Sequence, residues 1–476
     1  MNTQEPRAPQ QLGAPQQLGA PRDLQLRPHD SATASAVALI RLLGRHTLAD
    51  RAAWTLPVTA VGIVAALSLS VAGGVRYFFT ITGHTAPTYR FLSIVALALL
   101  LIPLAGLAGA AARLSATRRD TRLSSLRLLG ATRGTVSLLT LAESTAMALG
   151  GTLAGTLGYV ALMPLFGLLH FNGRAIGMAG MWLGVLPVLA TVLAIVLVCV
   201  LSAAVGLSRV QIDPLGVRTR QAAPRMSWTR LVVALVGFAA AFAAAMTLGK
   251  NPGAVVVIVT LVVIFGTPLL AVMLLGPWLL SVIARRDARR ARTPEQLLAA
   301  RTILENPKQA WRSVQALGLT TFVGVFLGVG MGFAGQNAPD AEVAVLLADI
   351  RTGVLVTLAI SFVSVACSIG INQTAAVLDR RALHVGLDMV GTPVEVIDAA
   401  RRRAVTRPLG WVVGTSFMAA VVLLLPLSVA NVAMEPSSIL TTLAVLVAGL
   451  GMVWISLWVT GRTLRQVIAK GLQRAE

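Results

Sequence analysis

Charge is scarce in this chain: only 12% of its 476 residues are Asp, Glu, Lys or Arg. An ordinary soluble domain carries about 25%, and a surface this poor in charge does not stay in water. Length alone would allow about three soluble domains, but the composition excludes them. Tyrosine numbers three and histidine five, so no aromatic-rich surface is available for stacking RNA bases. Nucleic acid is therefore not an expected partner. The two cysteines, Cys199 and Cys367, both sit inside apolar runs. A disulfide scaffold is excluded, and both read as packing residues.

What the chain does have is apolar bulk, 56% of its residues, and a net charge of +21. A helix that crosses a bilayer needs about 20 apolar residues. Ten runs qualify, at roughly 56–75, 91–112, 137–161, 181–207, 231–249, 254–282, 313–334, 351–371, 408–430 and 438–460. The fifth and sixth are split only by Lys250-Asn251-Pro252-Gly253, a turn signal. The sixth carries Thr267-Pro268 and Gly276-Pro277, where a lost helix hydrogen bond favours a kink or tilt. If both termini lie in the cytoplasm, 35 of the 40 Lys and Arg fall in cytoplasmic segments. The excess of cations inside supports ten spans in that orientation. The expected fold is all-α: a polytopic protein of the cell membrane.

Residues 1–34 differ from the rest. APQQLG at Ala8–Gly13 is repeated at Ala14–Gly19. Such a segment cannot bury a core and reads as a disordered cytoplasmic tail. It lacks the layout of a secretory signal.

The chain also repeats itself at longer range. RRDTRLSSLRLLGATRGTV at Arg118–Val136 follows the second span, and DRRALHVGLDMVGTPVEVI at Asp379–Ile397 follows the eighth. Aligned on Gly130 and Gly391, Arg119 meets Arg380, Leu126 meets Leu387, Leu129 meets Val390, and Val136 meets Ile397. Each copy predicts a short helix with an apolar stripe, ended by a glycine in the left-handed conformation. A second echo precedes each module: Arg41-Leu42-Leu43 leads to Trp54, and Arg301-Thr302-Ile303 leads to Trp311. Both are basic amphipathic stretches suited to the inner membrane surface. The expected layout is thus a first four-helix module at 35–210, a linking helix pair at 211–294, and a second module at 295–476. Six spans precede the second module, so the modules are parallel, related by an axis along the membrane normal.

These segments resemble the FtsX-like permease family, the membrane subunits of one class of ABC transporter. The residues that carry the resemblance are Arg118-Arg119, Leu126–Thr132 (LRLLGAT), Glu143, Gly150-Gly151, Gly155 and Gly158. The second copy keeps Arg380-Arg381 and Val390-Gly391-Thr392 but has no counterpart of Glu143. Leu298–Trp311 is similar to the family's membrane-entry helix. The large extracellular domain of many relatives has no room here, since the loops at 76–90 and 335–350 are too short.

The resemblance implies an ATP-driven permease, and an ATPase needs a phosphate-cradling loop with Lys followed by Ser or Thr. The three lysines precede Asn251, Gln309 and Gly471, so ATP hydrolysis belongs to a separate cytoplasmic ABC ATPase, in two copies for two contact helices. The implied coupling residues are Arg119, Leu126, Leu129, Gly130, Arg380, Leu387, Val390 and Gly391. From periodicity alone these stripes fit either a partner groove or the lipid surface. Membrane lipids are a partner either way. No cofactor, metal or catalytic set stands out.

Glu143 is the one acid well inside an apolar run. It reads as an ion-pair partner of Arg113, Arg119 or Arg133 near the inner interface, or as a functional intramembrane acid. The glycines at 150, 151, 155 and 158, and at 324, 328 and 332, read as close helix packing. His384 with Asp388 reads as a solvated pair. Asp340, Glu342 and Asp349 read as a solvated outer patch, and the arginines at 285–292 and 401–403 as orientation and headgroup signals. The expected activity is export or extraction of a hydrophobic or amphiphilic compound. The alternatives are an ion-gradient-driven secondary transporter with an internal repeat, and a transporter-like sensor.

Overall fold

A computed structural model describes residues 51–128, 133–212, 228–245, 254–335, 341–428 and 436–472. The helices are α1 (Arg51–Thr80), α2 (Ala86–Leu128), α3 (Arg133–Gly167), the short α4 (Gly177–Met181), α5 (Val185–Ile212), α6 (Trp228–Ala245), α7 (Ala254–Arg289), α8 (Pro294–Glu305), α9 (Pro307–Gly335), α10 (Ala341–Asp379), α11 (Arg381–Met389), α12 (Val394–Ser428) and α13 (Pro436–Leu472). One two-stranded hairpin, β1 (His170–Phe171) with β2 (Arg174–Ala175), stands between α3 and α4. Residues 1–50, which hold the N-terminal tail and the Arg41 stretch, lie outside the described residues.

The chain is an all-α polytopic membrane protein. Seven of the described helices, α1, α2, α3, α5, α10, α12 and α13, contain segments long and apolar enough to cross a membrane. The other three expected spans fall on α6, α7 and α9. Of these, α6 is described only to Ala245 and carries a shorter apolar segment, Val232–Ala243. Helix α7 runs unbroken through Pro268 and Pro277.

In one place the helices differ from expectation. The first copy of the repeat is not a separate short helix: α2 continues without interruption to Leu128. From Ala112 to Leu128 the sequence offers no glycine or proline to end it. In the second copy the break is present. Helix α10 stops at Asp379, Arg380 leaves helical geometry (φ −101°, ψ 21°), and α11 begins at Arg381.

Lipid offers helices no hydrophobic reason to associate, so packing depends on small residues that let backbones approach. Helices α1 and α3 meet in this way. A Cβ on Gly151 would stand 2.6 Å from the Val61 Cβ, and one on Gly155 would stand 2.5 Å from both the Ala65 Cβ and the Gly62 carbonyl. The glycines of α3 are therefore a packing seam. Helices α9 and α12 also pack together, and α2 packs along α10. The largest buried cluster gathers Phe322, Phe326, Leu358, Phe362, Leu423 and Leu457. Cys199 and Cys367 are not joined in a disulfide and pack at the edge of a second cluster, around Val61, Leu107 and Ile360.

The buried polar side chains are mostly Ser and Thr. Several of them donate to the carbonyl four residues back, as Ser70 does to Ala66 (2.8 Å), Thr152 to Ala148 (2.9 Å) and Ser364 to Ile360 (2.8 Å). This bond lets a hydroxyl sit inside an apolar helix.

Replacing Gly155 by Leu should destabilise the detergent-solubilised protein by about 1–3 kcal/mol, as expected for an overfilled contact, and so lower its thermal midpoint. Gly106→Ala, where an added Cβ meets nothing within 4 Å, should leave the midpoint unchanged.

Candidate functional sites at the two ends of the bundle

At the end that carries the hairpin, α1, α2, α3, α9 and α10 enclose a cavity of about 450 Å³. Its wall is almost wholly apolar, including Val71, Phe78, Leu92, Leu100, Phe166 and Ile360. Asp349 lines the same cavity and is only 8% exposed. Its Oδ2 accepts bonds from the Tyr89 hydroxyl (2.6 Å) and the Asn172 backbone N–H (2.6 Å). The expected solvated acid at this position is thus a buried one, because tertiary structure brings a strand turn and α2 onto α10. Phe78 stacks on Tyr89 and meets Phe171 edge-on, closing the corner around the carboxylate.

The hairpin turn is Asn172-Gly173, with φ of 54° and 71°. Two residues in succession at positive φ are the geometry that an Asn-Gly pair favours. That dipeptide was the available signal for the hairpin, but two-residue strands carry too little pattern to show beside it. Behind the hairpin, the buried Tyr159 hydroxyl donates to the Met181 carbonyl (2.5 Å) and accepts from the Leu183 N–H (3.0 Å). Arg76 donates to the Leu183 carbonyl. These bonds hold the α4 segment over the cavity.

The opposite end carries the arginines. Helix α11 ends in a Schellman turn: the Gly391 N–H donates to Asp388 O (2.8 Å) and the Thr392 N–H to Leu387 O (3.0 Å), with Gly391 at φ 87°. Leu387 faces inward and packs with Val377, Ile397 and Leu464. Val390 is 84% exposed, and Leu383 and Met389 are also exposed. Arg380 pairs with Glu305 at the end of α8 (2.7 Å). The structure therefore gathers Arg380, Leu387, Val390 and Gly391 into one helix-and-turn unit. In the first copy, Arg119 and Leu126 lie on the last turns of α2, with side chains outside the described residues, as are Leu129 and Gly130. Glu143 is half-buried on α3.

The arginine run 401–403 is not a simple surface signal. Arg401, its side chain 7% exposed, donates through Nε (3.1 Å) and Nη2 (2.7 Å) to Asp398 Oδ1, and Nη2 also reaches the Leu457 carbonyl (2.9 Å). Arg402 holds the other oxygen of Asp398 (2.5 Å), Arg403 pairs with Glu295 on α8 (3.1 Å), and Arg407 with Asp287 on α7 (3.4 Å). Helix α8 is thus tied at its first turn to α12 and at its last residue to Arg380. Its Ala299, Ala300 and Ile303 are buried, and the helix packs on α7 and α12. His384 is half-buried. Burial and the charges of Arg380 and Arg401 hold its imidazole below the ordinary 6.5, so it is no solvated partner for Asp388. No group of three or more His, Cys, Asp or Glu able to hold a metal occurs among the described residues.

Against known families, the FtsX-like permease C-terminal model matches residues 110–212, from within α2 to the end of α5. The match takes in the first copy of the repeat, Glu143 and the glycine seam. No curated protein matches the chain.

Asp398→Ala should destabilise the protein by about 3–5 kcal/mol, because it strands a buried guanidinium. Arg402→Ala should cost less, since that side chain is 32% exposed. Thermal melts of the two variants in one detergent check the ranking.

Proposed function

We propose that this chain is the permease subunit of a bacterial ABC transporter, coupling ATP hydrolysis on a separate ATPase to movement of a hydrophobic or amphiphilic compound. The observation that carries this reading is the FtsX-like permease match over 110–212, the stretch in which the repeat places its first coupling segment. In this reading the chain crosses the cell membrane ten times with both termini inside. Spans one to four and seven to ten form two parallel modules, and the fifth and sixth join them. The arginine-rich end is then cytoplasmic, a placement that the distribution of Lys and Arg supports.

The mechanism follows from which helices line what. Two ATPase copies close on ATP and press on two segments, one around Arg119, Leu126, Leu129 and Gly130, the other around Arg380, Leu387, Val390 and Gly391. In the second, the exposed Leu383, Met389 and Val390 offer the apolar face, while Leu387 seats the helix on the bundle. Each segment continues a helix that lines the apolar cavity, α2 in one half and α10 in the other. Closure of the ATPases would therefore change the cavity between the halves, and its wall of aliphatic and phenyl groups suits a greasy ligand.

One observation favours the rival secondary transporter. Asp349 is a buried acid in the cavity, as ion coupling would need. Its position in the repeat corresponds to Thr88, and that of Glu143 to Ala404, so neither acid recurs in the other half. That asymmetry weighs against a mechanism built on paired sites.

Single cysteines introduced at His84 and Glu435 should react with an impermeant maleimide in intact cells, and cysteines at Ser125 and Val385 only after permeabilisation. Labelling of either of the latter pair in intact cells would overturn the topology.

The partner is tested by co-purification with the cognate ATPase, which should come down as two copies per permease. Val390→Asp should insert and fold normally, since Val390 is exposed, yet lose most ATPase association or ATP-dependent transport. Full activity with no associated ATPase would sink the proposal.

A further inference from the structure

A second cavity, of about 480 Å³, lies at the arginine-rich end among α8, the first turns of α9, the end of α10, α11 and α12. Its size is within the ~300–1,000 Å³ typical of small-ligand sites. Four cations line it, Lys308, Arg312, Arg380 and Arg401, and no carboxylate does. Glu305 and Asp398 stand outside the lining and engage Arg380 and Arg401. Lys308 and Arg312 have no ion pair among the described residues. Two buried nitrogens on lining residues, Arg401 Nη1 and His384 Nδ1, have no hydrogen-bond partner among the described residues. A buried guanidinium nitrogen left bare carries a penalty of its own, and an anionic oxygen is the group that best relieves it.

The rest of the wall says what else the ligand carries. Leu298, Ile303, Leu387, Ile397 and Val405 are apolar, and the cavity sits where the chain turns from α8 into the apolar helix α9. A free anion would find nothing for these side chains to cover. A phospholipid has both parts, a phosphate for the cations and acyl chains for the aliphatic wall. Basic pockets among membrane helices on the cytoplasmic side hold anionic headgroups for this reason.

We propose that this cavity binds the phosphate headgroup of an anionic phospholipid, with Lys308, Arg312 and Arg401 as its cationic contacts. The lipid would bridge α8 and α11, so the seat of the exposed α11 face would depend on the surrounding leaflet. This site does not depend on the partner ATPase or on the transported compound.

The test uses the full-length protein in detergent micelles, with bound lipid counted by native mass spectrometry. Phosphatidylglycerol should be retained at one tight site over phosphatidylcholine. Lys308→Gln with Arg312→Gln should weaken that retention about tenfold to hundredfold, the loss expected for charge-assisted bonds. Neither residue is in an ion pair among the described residues, so folding should survive, and a helical circular dichroism spectrum with an unchanged melting midpoint confirms it. Arg301→Gln, on the exposed face of α8 and outside the lining, should retain lipid like the parent. Inorganic phosphate at millimolar concentration should not displace the lipid. Three results would each overturn the assignment: equal retention of the two lipids, undiminished binding in the folded double variant, or displacement by inorganic phosphate alone.

Discussion

A chain in hydrocarbon has no water to complete its hydrogen bonds, and the rest of this structure depends on that constraint. Every backbone donor and acceptor must find its partner within the chain, and continuous helices do so segment by segment. The same constraint governs the side chains. Ser70, Thr152 and Ser364 return their hydroxyls to their own helix. The Tyr159 hydroxyl closes on the Met181 carbonyl and the Leu183 N–H, satisfying both groups of a segment that leaves helical geometry. Where the backbone does leave the helix, at the hairpin and around α4, it finds such partners against the bundle.

The two ends of the bundle meet the constraint differently. At the hairpin end a single carboxylate, Asp349, gathers a hydroxyl and a backbone N–H from two other elements. At the other end the arginines pair with Asp287, Glu295, Glu305 and Asp398 and stitch α7, α8, α12 and the Arg380 joint together. A surface pair contributes little alone, whereas the Arg401–Asp398 pair is shielded from water and is costly to break. Ion pairs thus tie α8 to α12 and to the Arg380 joint, and the tip of α11 stands exposed beside them.

Much of this was legible in the sequence, and what was not has a common physical cause. Over the described residues the ten apolar runs fall on helices, apart from residues 182–184 at the start of the fourth, because length and hydropathy are local properties. Gly391 takes the left-handed turn that its place after a short apolar stripe implies, and the glycines of α3 form the close seam their spacing implies. Asp349 and the 401–403 run were misread because local charge does not say what a residue will face. The partners of Asp349 come from α2 and the hairpin, and those of Arg403 and Arg407 from α8 and α7. Only Asp398, three residues before Arg401 and one helical turn away, was within reach of a local reading. The continuous α2 was missed for the opposite reason: the repeat suggested a break there that the local sequence does not contain.

The cavity and the exposed tip of α11 are far apart, yet they are parts of one continuous construction. Helix α10 lines the cavity at Asp349, Gly353 and Ile360 and ends at Asp379, next to the Arg380 joint. At 1.5 Å per residue, about 30 residues of helix carry that joint roughly 45 Å from Asp349. Helix α2 makes the same connection in the other half, lining the cavity near Tyr89 and Leu100 and running to Leu128. These two helices also pack along each other at the junction of the halves. On the proposed coupling, a push on either far end would reach the cavity as a tilt or slide of one packed helix against the other. The halves differ in how the push would enter: α2 receives it directly as a stiff rod, and α10 through the short joint at Arg380. Glu305 grips that joint through an ion pair, so α8 helps set the angle at which α11 meets whatever presses on it.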